Sequence, residues 1–556
     1  MAAKSAGSTG AENVRKVLLL IGGKYHAWQS CAEIIKDLLE RSGRYAVTVT
    51  EDRSVLTGGL DKYDALAMYC QGGEMSEQQE KHVLQFVRAG GALIGLHSAN
   101  TAFVNSPAFV KLLGSAFDHH PAEHQDVLVE ITDAEHPVTT RVGDFLIHDE
   151  LYVLKNIADD VNVLAETRYQ GKPLPVAYTR GEGDGRVFYC SLGHSEKQFR
   201  HEQLRKLLLR GVDWACGVEP AKKEIGCGLL GYGGAFNMGR THGSCINETP
   251  GLKTVAACDL DAGRLKVAKQ ELPGIKTYGS LEKMLADDAV ELVVIILPHD
   301  QHAEAALRCL RAGKHVVLEK PFCVTLTEAD EMLSAARDAG VMLTCYHNRR
   351  WDGDYMTIRR LIEQGDIGEV FELSCGMAGY KRPGDWWRSD KAVSGGNFYD
   401  WGAHFVDWVL GLIPDKVEWV QGFFHKKVWM HVTNEDHTQA LIRFAGGKLA
   451  DVVISSMSAA PRPRWRILGT RGAIVDDRTV ERGCKLYTYR DGGVVLSEVK
   501  YDQSRWPEFY NNVADHLLRG DELVVKPEQA RRVIGVLETA GLSSESGAPV
   551  KPACEA

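Results

Sequence analysis

Residues 315–321 read HVVLEKP: an apolar strand that delivers Glu319, Lys320 and Pro321 at its end. The same alternation surrounds it. EIGCGLLGYGG (224–234), TVAACDLD (254–261), VELVVIILP (290–298) and VMLTCYH (341–347) are short apolar strands separated by helical stretches, the pattern of a parallel sheet covered on both faces. In such a sheet the polar residue just past a strand lies at the edge where ligands bind. Lys320 is therefore a candidate catalytic residue. Eighty positions on, GGNFYDWGAHFVD (395–407) places Asp400 and His404 at i,i+4, on one face if the stretch is helical. A lysine, an aspartate and a histidine on one pocket can carry protons to and from a hydroxyl.

Upstream, two glycine registers compete for a dinucleotide site. GCGLLG (226–231) fits the GxGxxG spacing literally but puts Leu229 and Leu230 inside the turn. The second register ends the strand at Leu230 and uses Gly231, Gly233 and, after a widened turn, Gly239. We prefer the second. Its acid is Asp259, 28 residues beyond Gly231, placed to accept from ribose hydroxyls and to repel a 2′-phosphate, which favours NAD over NADP.

Residues 224–545 resemble the Gfo/Idh/MocA family of sugar and polyol dehydrogenases. The matching pieces are GYGG…GRTH, VAACDLD, LPHDQHAEAALRCLRAGKHVVLEKP, HNRRWDGD and SGGNFYDWGAHFVD. The resemblance implies an NAD-binding Rossmann domain (224–347) and a C-terminal α+β domain (348–545) with a large, mostly antiparallel open sheet. It implies catalysis by Lys320, His404 and Asp400, and cofactor contacts from Gly231, Gly233, Gly239, Asp259, Pro298, His302, Glu319 and Lys320. The Lys320–Pro321 bond is often cis in that family. Arg349, Trp387, Arg388 and Asn397 are candidate substrate contacts. For Trp386, Trp387 and Arg388 the competing reading is core packing or an oligomer contact; for Arg349 and Arg350 it is ordinary surface charge.

The first 217 residues form a separate α/β block. KVLLLIGG, a helical CAEIIKDLLERSG, YAVTVTED, YDALAMYC, SEQQEKHVLQFVRAGG and ALIGLHS again argue for a parallel sheet. Ten of the twenty histidines lie here. The pieces GGKYHAW, GGALIGLHSA, DHHPAEHQ, HPVTTRV, HDELYVL and GRVFYCSLGHS resemble the ThuA (trehalose utilisation) family, which implies an amidotransferase-like, flavodoxin-like α/β domain over 14–217. The elbow where amidotransferases carry a cysteine here reads GLHSA, so thiolate chemistry is not expected. His26, His97, His124, Asp149, Glu150 and His194 are the candidate pocket. Three readings stay open: a divalent-metal site, a polar acid/base pocket without metal, and a structural domain.

At 556 residues the chain needs more than one core. Residues 1–13 are expected to be a disordered tail, 218–223 a linker and 546–556 an exposed tail. The composition is that of a soluble protein, with 44% hydrophobic and 25% charged residues. A net charge of −9 argues against nucleic-acid or membrane partners. The 13 cysteines include no CxxC pair, and the N-terminus lacks the apolar run of a signal peptide, so a cytoplasmic location is expected. The Gfo/Idh/MocA resemblance also implies a homo-oligomer formed through the open sheet. The expected function is NAD-dependent oxidation of a sugar or glycoside hydroxyl (at C3, giving a keto-sugar), with the ThuA-like domain acting on the same pathway. The alternatives are a redox-neutral NAD-dependent glycosidase and a non-catalytic sugar or NAD sensor.

Overall fold

The computed structural model describes residues 14–218 and 224–555. It divides into two compact units, Met1–Ala221 and Lys222–Ala556. The expected tail at 1–13 and most of the expected linker lie outside the described residues.

The first unit is built on a nine-stranded sheet. Five strands are parallel, in the spatial order Tyr45–Thr50, Arg15–Gly22, Ala65–Cys70, Ala92–Leu96 and Gly185–Cys190. Along Arg15–Gly22 the side chains alternate between two cores: Val17, Leu19 and Ile21 join the face covered by helices Trp28–Arg41 and Glu202–Ala215. Leu18 and Leu20 join the face covered by Glu77–Arg88 and Pro107–Leu113. Burial on both faces is why the strands read as unbroken apolar runs.

The parallel sheet expected from the quoted strands continues beyond Gly185–Cys190 into antiparallel strands. There Lys172–Glu182, Asn162–Tyr169, Gln125–Ile131 and Phe145–Asp149 extend it antiparallel. These strands lack connecting helices. Asn162–Tyr169 and Lys172–Glu182 are joined by Gln170 and Gly171, both at positive φ (50° and 77°), the two-residue hairpin geometry that matches strand twist.

The second unit opens with a six-stranded parallel sheet, ordered Lys276–Tyr278, Leu252–Cys258, Ile225–Leu230, Leu292–Ile295, His315–Leu318, Leu343–Cys345. This is the doubly wound 3-2-1-4-5-6 order. The chain reverses direction between Ile225–Leu230 and Leu292–Ile295, and the crevice opens at the carboxyl ends of those strands. An eight-stranded sheet follows, antiparallel throughout except where Val370–Ala378 pairs with Leu449–Ser455. Helix Asn397–Leu412 belongs to the same unit. It is buried on nearly every side, as its predominantly apolar sequence requires.

Residues 546–549 of the expected C-terminal tail are exposed, and the chain around them is tied to the unit. GLSSES completes helix Pro527–Ser546. Val550 then exchanges backbone hydrogen bonds of 2.8 and 2.9 Å with Val420, and Glu555 pairs with Arg532. Among the described residues no helix is long and apolar enough to cross a membrane.

Candidate active site

Strand Ile225–Leu230 runs through Gly226 and Gly228, so the literal GxGxxG register lies inside the sheet. The turn begins at Gly231, whose φ of 92° excludes other residues and where a Cβ would stand 2.3 Å from the Ile296 carbonyl oxygen. A Cβ on Gly233 would meet nothing within 4 Å, whereas one on Gly239 would strike the Tyr232 ring at 2.6 Å. Gly239 thus lets helix Met238–Glu248 pack on the turn, and is not among the residues lining the cleft. Asp259 follows Leu252–Cys258. Its Oδ2 accepts from Tyr232 N (2.7 Å) and its Oδ1 from Asp261 N (2.8 Å), fixing the carboxylate beside the turn.

These residues open on a cleft of about 530 Å³ that Gly231, Gly233, Asp259, Pro298, Glu319 and Lys320 all help to line. The volume lies in the range of small-molecule sites. The uncrowded backbone at Gly233 and the fixed Asp259 carboxylate fit a dinucleotide, with the glycine turn for the pyrophosphate and Asp259 for the ribose.

Lys320 follows strand His315–Leu318, and its bond to Pro321 is cis. Its Nζ donates to Asp400 Oδ1 (2.6 Å) and to the Asp400 carbonyl (3.1 Å). Arg388 donates to the same Oδ1 at 2.8 Å. Asp400 sits in the first turn of helix Asn397–Leu412, where the helix dipole favours an anion. Burial alone would raise its carboxyl, but Lys320 and Arg388 hold it well below the usual carboxylate range. The Arg388 guanidinium lies 5.0, 5.6 and 4.9 Å from the Phe236, Trp386 and Trp387 ring centroids, so it is oriented on its faces as well as at its tip.

The other expected residues divide. Trp387 and Arg388 line the cleft. Arg349 and Asn397 are not among the lining residues: Arg349 lies against Trp401 and Trp506 and pairs with Asp352, and the Asn397 amide reaches the Ile454 carbonyl. His404 lies one turn beyond Asp400, 5% exposed, with Nδ1 buried and unpartnered. Burial, then Lys320, pushes its imidazole well below the ordinary histidine range, so it is neutral.

His302, expected on the cofactor, is corrected. It is fully buried, its ring nitrogens 2.8 and 3.0 Å from the carbonyls of Pro321 and Leu297, and it braces the two loops that bound the cleft. His299 lines the cleft instead, one helical turn earlier. Its Nδ1 reaches the Ser394 carbonyl at 2.9 Å, its ring meets Trp387 edge-on at 4.9 Å, and burial, then His302, pushes it down to about 3.

Besides His299, two residues were missed from sequence although they lie within quoted motifs or beside them. His242 of GRTH bridges Tyr510 Oη (2.7 Å) and Glu319 Oε1 (3.0 Å), while Glu319 Oε2 accepts from Lys320 N at 3.0 Å. The relay fixes the residue before Lys320. Phe236, in the insertion that widens the glycine turn, packs on Trp386 at 5.3 Å.

In the first unit, His26, His97, Glu150 and His194 come together, each offering a ligand atom within 4.8 Å of the others. His97 stands at the elbow after strand Ala92–Leu96 with φ of 42°, a conformation uncommon for a side-chain-bearing residue. Asp149 is beside the four, not among them: it is fully buried and accepts backbone N–H groups from Glu150, Gly193 and His194. His124 packs edge-on against His194, 4.5 Å between centroids.

Sequence-family comparison matches residues 16–215 to ThuA (trehalose utilisation), 225–347 to the NAD-binding Rossmann fold of the GFO/IDH/MocA oxidoreductases and 355–475 to their C-terminal domain. An uncharacterized oxidoreductase of Schizosaccharomyces pombe is 30% identical over 321 residues, covering 51% of this chain and 87% of that protein. The scyllo-inositol 2-dehydrogenase (NADP(+)) of Bacillus subtilis is 27% identical over 350 residues, covering 58% of this chain and 94% of that enzyme. Among solved structures, an NAD-binding protein from Listeria innocua superposes with a TM-score of 0.53 at 29% identity, over 59% of this chain and 97% of that one. The chain therefore belongs to the GFO/IDH/MocA family of oxidoreductases, with a ThuA domain preceding the Rossmann fold.

Proposed function

We propose that the second unit oxidises a secondary hydroxyl of a cyclic polyol or sugar, with NAD as the hydride acceptor. The observation that carries this is the Lys320–Asp400–Arg388 constellation on the same cleft as Asp259 and the glycine turn. Oxidation takes a hydride from carbon and a proton from oxygen. NAD, when bound, supplies the acceptor for the hydride. The chain deals with the proton: two Lys320 N–H groups are engaged by Asp400, so as the neutral amine Lys320 keeps a lone pair for the substrate hydroxyl proton, and the ammonium so formed returns that proton to solvent through the cleft. Asp400 fixes Lys320, and Arg388, held by three rings, fixes Asp400. His404 sits one turn deeper, where burial and Lys320 disfavour its protonation and keep it neutral.

Asp259 favours NAD, because a 2′-phosphate in the cleft would meet a fixed carboxylate. In this we separate the chain from its NADP-dependent Bacillus relative. That relative acts on an inositol, which supports a ring-borne secondary alcohol as substrate. For a pyranoside we place the oxidation at C3, since a C3 ketone acidifies the C2 proton. The experiment is a panel of cyclic polyols and glycosides with NAD, followed by NADH absorbance and product chromatography. NADH formed one-for-one with a ketone supports the reading. Glycoside cleavage without net NADH would replace it with a redox-neutral sequence of oxidation, elimination, hydration and re-reduction.

We further infer that the ThuA domain acts on the ketone so formed, through the cluster of His26, His97, Glu150 and His194. In a His97→Ala full-length chain the ketone should accumulate where the native chain converts it further. Identical product profiles would remove the domain from the reaction.

A further inference from the structure

We propose that His26, His97, His194 and Glu150 bind one divalent transition-metal ion of the zinc class. The four ligand atoms lie within 4.8 Å of one another, close enough for small rotamer adjustments to bring them onto one ion. Their surroundings are arranged for ligation. His97 Nδ1 lies 2.7 Å from the Ser191 carbonyl, which accepts from Nδ1–H and leaves Nε2 with a lone pair. A backbone carbonyl behind the far nitrogen is the usual support of a metal-binding histidine. That Nε2 is buried, has no hydrogen-bond partner and points to Glu150 Oε2 at 3.4 Å. The side chain is 0% exposed. Both ring nitrogens of His26 are likewise buried without a partner, and its ring lies 4.9 Å from His97 and 4.6 Å from His194.

The backbone holds the set. His97 keeps its positive φ at the strand elbow. Asp149 clamps Glu150 and His194 by taking their backbone N–H groups at 2.8 and 3.2 Å, with Gly193 N at 2.7 Å. Glu150 also reaches His194 Nδ1 at 2.9 Å, so carboxylate and imidazole already share one place. His97, His120 and His194 all lie within 3.4 Å of the Glu150 carboxylate, and the buried nitrogens of His26 and His97 Nε2 have no hydrogen-bond partner, which native interiors rarely tolerate. The donors are nitrogen and oxygen with no thiolate, a set suited to zinc, cobalt, nickel, manganese or iron in the divalent state and unsuited to calcium. Three neutral imidazoles and one carboxylate around a divalent ion leave a net charge of +1.

The test is metal binding by the full-length protein, read independently of turnover. The chain is stripped with a chelator, exchanged into Zn²⁺ or Co²⁺ alone, and its metal content measured by mass spectrometry. One equivalent per chain is expected, with Co²⁺ giving the visible ligand-field bands of a low-coordinate nitrogen/oxygen site. His97→Ala and, separately, His26→Ala should each weaken Zn²⁺ binding by at least ~10-fold. Retention of the first unit's own unfolding transition in calorimetry reports that each variant is folded, and His26 is the milder substitution should His97→Ala not fold. Less than a tenth of an equivalent of either metal on the native chain would overturn the proposal. So would unchanged binding in the folded variants.

Discussion

Replacing Lys320 by methionine removes a charge and three donors while keeping the length and apolar volume of the stem. Lys320 is close to buried, with 12% of its side chain exposed, and two of its donors are spent on Asp400. Losing an acid/base group typically costs 10²–10⁴ in rate, or about 3–5 kcal/mol of transition-state stabilisation. Asp400 would keep Arg388 as its counter-ion at 2.8 Å, so the helix that carries it should stay in place. Cofactor affinity should barely change. Strand His315–Leu318, which leads to Lys320, lies three strands from Leu252–Cys258, which leads to Asp259; at about 4.8 Å per strand that is roughly 14 Å. The assay is steady-state NADH formation together with calorimetric titration of NAD. A fall in kcat of at least ~10²-fold with the NAD Kd within about threefold is expected. Near-normal turnover would remove Lys320 from the chemistry. An equal loss of NAD affinity and of turnover would make it a cofactor anchor.

Asp259→Asn leaves one carbonyl oxygen where two backbone N–H groups and a ribose need acceptors, so NAD should bind ~10–100-fold more weakly by titration, with NADP weakened less. Tighter NADP binding in the native chain would refute the assignment. His302→Leu should destabilise the second unit by about 1–3 kcal/mol in denaturant unfolding, because a buried carbonyl of Leu297 or Pro321 loses its donor; an unchanged midpoint would refute its role as a brace. His299 is 2% exposed and pushed down to about 3 from 6.5 by burial, then His302. The unfolded chain takes up a proton there below pH 6.5 that the folded chain refuses, so stability falls with acidification at up to about 1.4 kcal/mol per pH unit. His299→Asn keeps a donor for Ser394 and should reduce the loss between pH 6.5 and pH 5 by about 2 kcal/mol; equal losses in both proteins would exclude His299 as the source.

What the sequence disclosed follows from what a local pattern can encode. The doubly wound sheet was legible because strands buried on two faces must be apolar throughout, and Lys320 because the residue ending such a strand has only one place to go. Asp400 and His404 were legible as a helical pair, but i,i+4 spacing says nothing of depth: Asp400 reaches two cations and His404 is turned into the core. His302 and His299 illustrate the same gap. Both stand in LPHDQH, and only the fold decides which ring faces the cleft and which ties Leu297 to Pro321. The antiparallel half of the first sheet was missed because its strands alternate less cleanly and its hairpin turn, Gln170-Gly171, lacks the usual asparagine signal. In the first unit the residue types were readable, yet four of six candidates share one point, and Asp149 serves the backbone that holds them.

The central claim is hydride transfer from a ring carbon of the substrate at the Lys320 cleft, and isotope transfer tests it most directly. A cyclic polyol or pyranoside that the chain turns over is deuterated at its carbinol carbons and incubated with unlabelled NAD, and the cofactor is analysed by mass spectrometry. The account expects one deuterium on the reduced cofactor for each ketone formed, and neither product in Lys320→Met. Product formed with no deuterium on the cofactor at any stage of a single turnover would contradict it.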